Sequence, residues 1–515
     1  MADKCDYDVA VIGAGVSGVS ALKCVLEAGL SAVCFEKTEH VGGLWHFTED
    51  GYGVMRFTHI NVSKYNYCFS DYPFADDVVD HPHNADMQKY IEGYVEHFDL
   101  MKHINFGTTV VHMGQQTDNG GVWTIRTQSA NKAERTVVVK NVAVATGHHA
   151  LPIMPSFPGQ ETFKGELLHS VAYKDAITNG IVDKKPLVIG VGNSGMDVAV
   201  DLFARGNCKP TLLSTRSGAW VINNHVFNYA TDLYACRLFL WLPWRIATVI
   251  VELVTRLTNG NPFDFGLNPS MQMLQTQPSV SGALYFHLRR QNVVVKPNVN
   301  RISGNRVLFT DGSSADVDTI VCCTGYRIHL PFIDTKLNNV LLDDESNEIS
   351  LYKNVFSPSV GASLAFIGFV QPSSGGILSM SETQARWFAQ LCLGTVNLPS
   401  KQLMQKDIEE ERQVARERYC KSTRHTIQRD PIVYNDEIAS LFGAKPQFWR
   451  HPLLAYRLLL GSCGSAQWRL QGPGTWSGAN KLVRSIPVTP LMQVMFWALV
   501  LLLAWMIKAV YSVFA

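Results

Sequence analysis

Two glycine-rich turns in the chain have the spacing of dinucleotide-binding turns. The first, GAGVSG from Gly13 to Gly18, follows the apolar run YDVAVI and precedes a helical pattern through about Ala28. In such a strand, turn and helix, the glycines permit a tight bend, close approach of a pyrophosphate and close packing of the helix. The next predicted strand, SAVCF, leads to Glu36, whose carboxylate can accept hydrogen bonds from a ribose diol. We therefore predict a site for a dinucleotide without a 2′-phosphate; the alternative is a structural glycine turn beside a surface glutamate.

The second turn, GVGNSG from Gly190 to Gly195, repeats this arrangement with a different end to its second strand. It follows PLVIG and opens a helix through about Ala204, and the next predicted strand, TLLSTR, ends at Arg216. A guanidinium with neighbouring hydroxyls can hold a 2′-phosphate through paired hydrogen bonds, whereas a carboxylate would repel it. The pattern predicts NADPH, although an exposed arginine at a strand end is ordinary when taken alone.

Two unlike nucleotide sites indicate electron transfer between two cofactors, and the order fits FAD followed by NADPH. Two further apolar strands, VAVATG at 142–147 and TIVCCTGY at 319–326, each end in a Thr-Gly turn. We predict an α/β fold with two Rossmann-like domains, in which the FAD domain is split by an inserted NADPH domain. The predicted parts are 1–158 and 331–445 for the FAD domain, 159–330 for the NADPH domain with an insertion at about 217–300, 446–490 for a C-terminal extension and 491–515 for a transmembrane or membrane-anchor helix.

Composition excludes several other classes of protein. The chain has 515 residues, 46% of them hydrophobic, with a formal charge of +1 and no basic stripe, so we expect no nucleic-acid partner. Its 11 cysteines show no C-x-x-C spacing, which fits a reducing compartment and argues against both a disulfide framework and a disulfide reductase. The start, MADKCDYD, has no apolar run of the secretory type. The histidine pairs at 81 and 83 and at 148 and 149 lack the companions of a metal site, so none is predicted.

Two apolar segments suggest contact with a membrane. The run from Leu491 to Ile507 has only Gln493 as a polar residue, and the stretch to Ala515 is long enough to cross a hydrocarbon core, which needs about 20 residues. A buried or surface-lying helix is the alternative, because Lys508 interrupts the segment. The second segment, 237–253, fits an in-plane membrane helix, a substrate-channel lid or ordinary burial, and its Pro243 argues against one continuous helix.

The stretch FKGELLHSVAYK, between the two turns, has a spacing that neither turn explains. Its F-x-G-x-x-x-H-x-x-x-Y-K pattern resembles the signature of flavin-containing monooxygenases, and other landmarks of that family occur in family order. They are GAGVSG, FEK, VGGLW, INVSK, FSDYP, TGHH, FPG, GVGNSG, STR, GFVQP, ETQARW, RHTIQ and QGPGTW. The chain departs from the family pattern at Val62, where many relatives have Thr, and at Cys322-Cys323, where Ala is common.

The resemblance implies an NADPH- and O2-dependent flavoprotein monooxygenase. In that family a flavin C4a-hydroperoxide oxygenates soft nitrogen or sulfur nucleophiles of lipophilic small molecules, so no protein nucleophile or acid-base triad is required. Ketone oxygenation of the Baeyer-Villiger type and NADPH oxidase activity that releases H2O2 are the alternatives. A membrane scaffold that holds cofactors without turnover is a third class, and the intact turns weigh against it.

The resemblance also implies roles for individual residues. Asn61 corresponds to the family asparagine beside the flavin and the nicotinamide, and we predict it as the catalytic residue; an N-glycosylation sequon, Asn61-Val62-Ser63, is the alternative. His169 is more simply explained as a structural histidine than as a base. The predicted cofactor-binding residues are Gly13, Ala14, Gly15, Val16, Ser17, Gly18, Glu36, Gly43, Leu44, Trp45, Asn61, Val62, Thr146, Gly147, Gly190, Gly192, Asn193, Ser194, Gly195, Asp197, Thr215, Arg216 and Gln371.

The expected location follows from the same evidence. We expect an endoplasmic reticulum membrane protein whose catalytic domains face the cytosol, since Lys481 and Arg484 lie on the upstream flank of the apolar C-terminal segment. The expected partners are O2, a lipophilic small molecule and membrane lipid. The sequence leaves open whether the chain forms a homo-oligomer.

Overall fold

The computed structural model describes residues 5–116, 121–420 and 426–514, without the side chains of 499, 502, 503 and 506–514. The strands are β1 Tyr7–Ile12, β2 Ala32–Phe35, β3 Ile104–Asn105, β4 Thr108–Gln115, β5 Trp123–Ser129, β6 Glu134–Val144, β7 Leu151–Pro152, β8 Glu166–His169, β9 Pro186–Ile189, β10 Thr211–Ser214, β11 Val221–Ile222, β12 His225–Val226, β13 Tyr229–Ala230, β14 Ser279–Val280, β15 Val293–Lys296, β16 Val299–Ser303, β17 Arg306–Phe309, β18 Ser314–Asp316, β19 Thr319–Cys322, β20 Tyr326–Arg327, β21 Leu342–Asp343, β22 Glu348–Ile349, β23 Leu364–Phe366, β24 Gln371–Pro372 and β25 Gln428–Arg429.

The α-helices connect and cover these strands. They are α1 Val16–Glu27, α2 Asn84–His97, α3 Asn193–Ala204, α4 Arg237–Leu240, α5 Trp244–Asn259, α6 Leu284–Arg289, α7 Thr335–Leu341, α8 Ile377–Cys392, α9 Lys401–Arg418, α10 Pro431–Leu441, α11 Ala455–Leu460, α12 Ala479–Ser485 and α13 Pro490–Phe514.

The larger sheet contains the first glycine turn. Its strand order is β3-β2-β1-β6-β5-β4, and β23 pairs with β6 in parallel, so a late part of the chain returns to a sheet begun at the N-terminus. The core strand β1 is parallel to both β2 and β6, and its residues Val9, Ala10 and Val11 are fully buried. A strand of apolar residues buried on both faces is typical of parallel sheets covered by helices.

The smaller sheet contains the second glycine turn. Its five strands run parallel in the order β15-β10-β9-β19-β8, with the turn directly after β9. The edge strand β8 begins within the FKGELLHSVAYK stretch. Two separate groups of buried apolar residues, one including Leu213 and Val321 and the other Leu212 and Ile320, fill the two faces of this sheet.

Segment 237–253 of the insertion is not one continuous helix, as Pro243 predicts. Helix α4 ends at Leu240, and α5 begins at Trp244. One face of α5 packs on the protein through Ala247 and Thr248, while several large apolar side chains of this segment are exposed. The exposed ones are Trp241, Leu242, Ile246, Val249, Ile250, Leu253 and Leu257.

The C-terminal segment forms the predicted helix, α13, but the predicted membrane crossing is not found. Within the described part of the chain, no helix combines the length and the apolar character that a membrane span requires. The description leaves out residue 515 of the predicted span, and it also leaves out the side chains of 499, 502, 503 and 506–514.

Several predicted element ends shift by a few residues. Strand β2 starts at Ala32, one residue after the predicted Ser31, whose carbonyl accepts from the amides of Asp8 and Val9 at the strand entrance. Strand β10 ends at Ser214, so Thr215 and Arg216 lie beyond it. Strand β23 covers Leu364–Phe366, only the middle of the apolar run SLAFIGFV at 363–370.

Candidate active site and its two glycine turns

The outer glycines of the first turn are required by packing. Gly13 has φ +100°, a left-handed conformation, and a Cβ there would lie 2.9 Å from the carbonyl oxygen of Ala145. A Cβ on Gly18 would lie 1.8 Å from the carbonyl oxygen of Gly13, because helix α1 packs directly on the turn. These glycines are therefore needed for folding, whether or not a ligand binds.

Gly15 differs, because its own conformation does not require glycine. It has φ −70° and caps α1, and an added Cβ would make only an ordinary 3.7 Å contact with Cα of Gly43. Gly42 and Gly43 are the glycines of the VGGLW loop, and the amide of Gly42 donates to the carbonyl of Ala14. Gly15 and Gly43 thus face each other where a pyrophosphate would pass. Such a bare backbone surface fits the predicted role in FAD binding.

Glu36 is fixed beside this turn. It is only 6% exposed; its Oε2 accepts from the amide of Ala14 at 2.7 Å, and its Oε1 accepts from the amide and hydroxyl of Thr38 at 2.9 Å. The carboxylate is therefore held against the second residue of the turn, with lone pairs left for a ribose hydroxyl.

Other predicted residues of the first site lie on neighbouring segments. Leu44 is exposed and Trp45 is half-buried, in the 3-10 helix Gly43–Trp45. Thr146 is exposed just beyond β6, and a Cβ on Gly147 would meet no atom within 4 Å. Ser17 bonds Ser381 at 2.8 Å and lies beside Gly368, where a Cβ would come within 2.2 Å of its hydroxyl.

The second turn repeats the first in detail. Gly190 has φ +107°, and a Cβ there would lie 2.5 Å from the carbonyl oxygen of Cys323, as Gly13 does with Ala145. A Cβ on Gly195 would lie 1.9 Å from the carbonyl oxygen of Gly190. Cys323 therefore occupies the position equivalent to Ala145, and its thiol is accommodated in the core.

The polar residues after β10 suit a 2′-phosphate. Arg216 is exposed, and among the described residues no ion pair involves it. Thr215 accepts from the amide of Gly218 through its hydroxyl at 3.0 Å. A cation that was not predicted, Lys296, ends the neighbouring strand β15 in register with Ser214, and its ammonium lies 3.5 Å from the hydroxyl of Ser313. The lysine that ends VVVK was the available signal.

Two of the predicted cofactor-binding residues, Asn193 and Asp197, have surroundings within the protein that the sequence did not indicate. The side-chain oxygen of Asn193 accepts from the amide of Val280 at 2.9 Å, so this oxygen fastens the insertion to the second turn. Asp197 is half-buried on α3, where burial and the nearby charge of Asp201 raise its pKa to about 7. Ser194 is half-buried in the first turn of the same helix.

The signature stretch fastens the second sheet to its surroundings. Gly165 has no room for a Cβ, which would lie 2.1 Å from the carbonyl oxygen of Asp318. Tyr173 donates to Asp201 at 2.7 Å, and Lys174 donates to the carbonyl of Gly51 at 2.6 Å. Phe163 packs against the apolar group beneath the sheet. The stretch is therefore structural in its contacts.

His169 is also fully engaged by the backbone. Its Nδ1 accepts from the amide of Val171 at 3.2 Å, which leaves Nε2 to donate to the carbonyl of Gly325 at 3.2 Å. Burial lowers the pKa of His169, and both ring nitrogens have partners, so the geometry favours a neutral structural histidine over a base.

Asn61 has an available amide. It is half-buried, and among the described residues its side chain has no hydrogen-bond partner. The neighbouring Val62 and Ser63 are buried, and the Ser63 hydroxyl donates to Asp232 at 2.6 Å. Gln371 lies in β24 and donates from its amide to Gln277 of the insertion at 2.7 Å. The Arg424 and His425 of the RHTIQ landmark lie outside the described residues.

One group of carboxylates in the described part of the chain lies close enough to hold a cation: Asp407, Glu411 and Glu437. The ammonium of Lys353 lies among them, 2.7 Å from Asp407 and 2.8 Å from Glu411, and also bonds Glu437. The cluster is therefore explained by a buried lysine.

The two equivalent turns, one beside a carboxylate and one beside a guanidinium, define a protein with two unlike dinucleotide-binding units. A sequence model described as flavin-binding monooxygenase-like matches residues 6–487. Flavin-containing monooxygenase 5 of Homo sapiens is 39% identical over 496 residues, which cover 92% of this chain and 91% of the human protein. Dimethylaniline monooxygenase (N-oxide-forming) 2 of Pan troglodytes is 37% identical over 494 residues, or 92% of this chain and 90% of that protein.

A solved structure supports the fold. The S-allyl-L-cysteine S-oxygenase of Allium sativum matches with a TM-score of 0.65 at 22% identity, over 88% of this chain and 91% of that one. The chain therefore belongs to the flavin-binding monooxygenase-like family. It is a flavin-dependent monooxygenase, and FAD and NADPH are its cofactors.

Proposed function

We propose that this enzyme oxygenates soft nitrogen or sulfur nucleophiles of lipophilic small molecules, with NADPH as reductant and O2 as oxidant. The observation that carries the proposal is the pair of unlike turns: Glu36 lies against the first, and Arg216 follows the strand after the second. The printed name of the Pan troglodytes relative, an N-oxide-forming dimethylaniline monooxygenase, supports a nitrogen nucleophile.

The predicted residues fit the two cofactors. FAD would be held by the backbone of Ala14, Gly15 and Gly43, with Glu36 on its ribose. The chemistry that the bound cofactors supply is transfer of two electrons from NADPH to FAD and transfer of one oxygen atom of O2 to the substrate. NADPH would be held at Gly192 and Thr215, with the guanidinium of Arg216 on its 2′-phosphate.

Asn61 is the residue that we assign to the reacting end of the site. Its amide can donate and accept, and it is not consumed by a partner among the described residues. A hydrogen bond from a fixed amide is strongest where water is excluded, and it would orient the nicotinamide and the bound oxygen. No acid-base residue is assigned, because both nitrogens of His169 are taken by the backbone.

We propose further that the enzyme is held at the endoplasmic reticulum membrane with its catalytic domains in the cytosol. Helix α5 exposes Ile246, Val249, Leu253 and Leu257, and α13 exposes Trp497, all of them apolar side chains. A surface of this kind favours contact with lipid.

The test is NADPH-driven turnover of a tertiary amine, a thioether and a ketone side by side, with H2O2 quantified. We expect N-oxide and S-oxide as the main products. Ester formation from the ketone as the main reaction would show that the enzyme is instead a ketone oxygenase of the Baeyer-Villiger type. NADPH consumption matched by H2O2 on all three substrates would show an oxidase instead.

A further inference from the structure

The loop that follows Asn61 is held by one carboxylate of the insertion. Asp232 Oδ1 accepts from the amide of Ser63 at 3.0 Å, and Oδ2 accepts from the hydroxyl of Ser63 at 2.6 Å. The same Oδ2 accepts from the side-chain amide of Asn66 at 2.7 Å. These contacts join residues that are 166 to 169 positions apart in the chain.

Backbone hydrogen bonds also support the loop near Asn61, and within it the amide of Asn66 donates to the carbonyl of Ser63 at 3.0 Å. The amides of Ile60 and Lys64 donate to the carbonyls of Pro82 and Asp80, which fixes the two ends of the INVSK segment. Between them, Ser63 is the one residue whose amide has a partner among the described residues, and that partner is Asp232. The carboxylate of Asp232 therefore helps to fix the course of the chain directly after Asn61, together with these backbone bonds.

Asp232 is itself rigidly placed. It lies in the 3-10 helix Thr231–Tyr234, which Thr231 fastens through a 2.6 Å bond to the carbonyl of Asn223. Leu233 is 1% exposed and packs with Ile486. Five positions on, Arg237 is 4% exposed and forms a two-point pair with Asp436 at 2.8 Å. The insertion is thus anchored on both sides of Asp232, so the carboxylate can impose its position on the loop.

We propose that Asp232 is a positioning residue for oxygenation, acting through Ser63 and Asn66 on the orientation of Asn61. This inference rests on the role of Asn61 in the proposed function. It assigns to the insertion a part in the chemistry, in addition to covering the nucleotide units. A residue that acts in this way should change how reducing equivalents are used without changing how the cofactors bind.

The experiment measures the amount of H2O2 released per NADPH oxidised, here called the H2O2 share, in full-length holoenzyme with a tertiary amine as substrate. Asp232→Asn keeps the size of the side chain but faces the amide donor of Asn66 with a second donor. We expect FAD content and melting temperature near the parent values and an H2O2 share raised about fivefold, the effect of one hydrogen bond. Ser63→Ala, which removes the hydroxyl side of the same contact, should change the share in the same direction.

The control is Tyr234→Phe. It removes the 2.9 Å bond from Tyr234 to the carbonyl of Val226 in the same 3-10 helix and leaves the contacts of Asp232 intact. We expect its H2O2 share to equal that of the parent.

A double-mutant cycle separates this inference from the proposed function. Asn61→Ser alone should raise the H2O2 share; an unchanged share would refute the role of Asn61. If Asn61→Ser raises the share but Asp232→Asn and Ser63→Ala do not, only the inference about Asp232 is wrong. If Asp232 acts through Asn61, adding Asp232→Asn to Asn61→Ser should cause no further rise, whereas fully additive effects would overturn the inference.

Discussion

At the scale of single residues, we propose that Arg216 determines which nicotinamide coenzyme the enzyme uses. Its guanidinium is exposed beyond β10 and has no ion-pair partner among the described residues, so it would be available to a 2′-phosphate. We expect Arg216→Ala to weaken NADPH binding by about 2 kcal/mol and to leave NADH use nearly unchanged, since charge-assisted hydrogen bonds contribute about that much. Coenzyme titrations of the reductive step measure this, with Arg290→Ala, an exposed arginine at the end of α6, as the control. Equal losses for NADPH and NADH would contradict the assignment.

The glycines of the first turn should separate folding from FAD binding. Gly15→Ala places a Cβ 3.7 Å from its nearest neighbour, so we expect soluble, folded protein with reduced flavin content. Gly18→Ala places a Cβ 1.8 Å from a carbonyl oxygen, so we expect misfolded or insoluble protein. Flavin absorbance per protein and far-UV circular dichroism distinguish the two outcomes. Full flavin occupancy in Gly15→Ala would show that the turn tolerates a side chain facing the ligand.

At the scale of elements, helix α3 contains a carboxylate that opposes folding at neutral pH. Burial and Asp201 raise the pKa of Asp197 from 3.8 to about 7, so between these values the folded state binds a proton that the unfolded state does not. Stability from this group is therefore full below pH 4 and falls as the pH rises to 7. Because the side chain is only half-buried, we expect Asp197→Asn to stabilise the protein by about 2 kcal/mol at pH 8 and by less at pH 5.5.

Melting temperatures of the parent and of Asp197→Asn at the two pH values check this. Asp316→Asn, which changes an exposed carboxylate on β18, is the matched control. A gain for Asp197→Asn that is the same at both pH values would mean that the carboxylate is ionised throughout.

The elements that the sequence predicts well are those that a short stretch of neighbouring residues determines. Both glycine turns, their flanking strands and the break at Pro243 follow from patterns only a few residues long, and the structure has them all. The contacts of Asn193 with Val280 and of Asp232 with Ser63 could not be predicted, because each joins distant segments and neither has a local pattern. Asn61 stays a prediction from resemblance, supported by a side-chain amide that has no partner among the described residues.

At the scale of the whole molecule, a buried ion network joins the C-terminal extension to the first nucleotide unit. Arg469 is 1% exposed and pairs with Glu382 at 2.8 Å, Asp71 at 3.1 Å and Glu27 at 3.2 Å, on three separate segments. Arg469→Met removes the cation that lies between the buried carboxylates of Glu382 and Asp71, and leaves Lys23 as the ion-pair partner of Asp71. We expect a loss of about 3 kcal/mol or more in the free energy of unfolding, measured by denaturant titration.

Arg484→Met is the control for that variant, because Arg484 is an exposed arginine on α12 of the same extension. We expect it to stay within about 0.5 kcal/mol of the parent, as surface substitutions usually do. If Arg469→Met were as stable as Arg484→Met, the extension would be attached by its apolar contacts and not by this network.

The central claim, that the enzyme inserts one atom of O2 into its substrate at the expense of NADPH, is tested most directly by isotope labelling. The holoenzyme is supplied with NADPH, ¹⁸O2 and a tertiary amine or a thioether, and product mass, NADPH consumption and H2O2 are measured together. We predict an N-oxide or S-oxide that contains a single ¹⁸O, with one NADPH oxidised per product molecule. Product without label, or NADPH consumption fully matched by H2O2 with no oxygenated product, would contradict it.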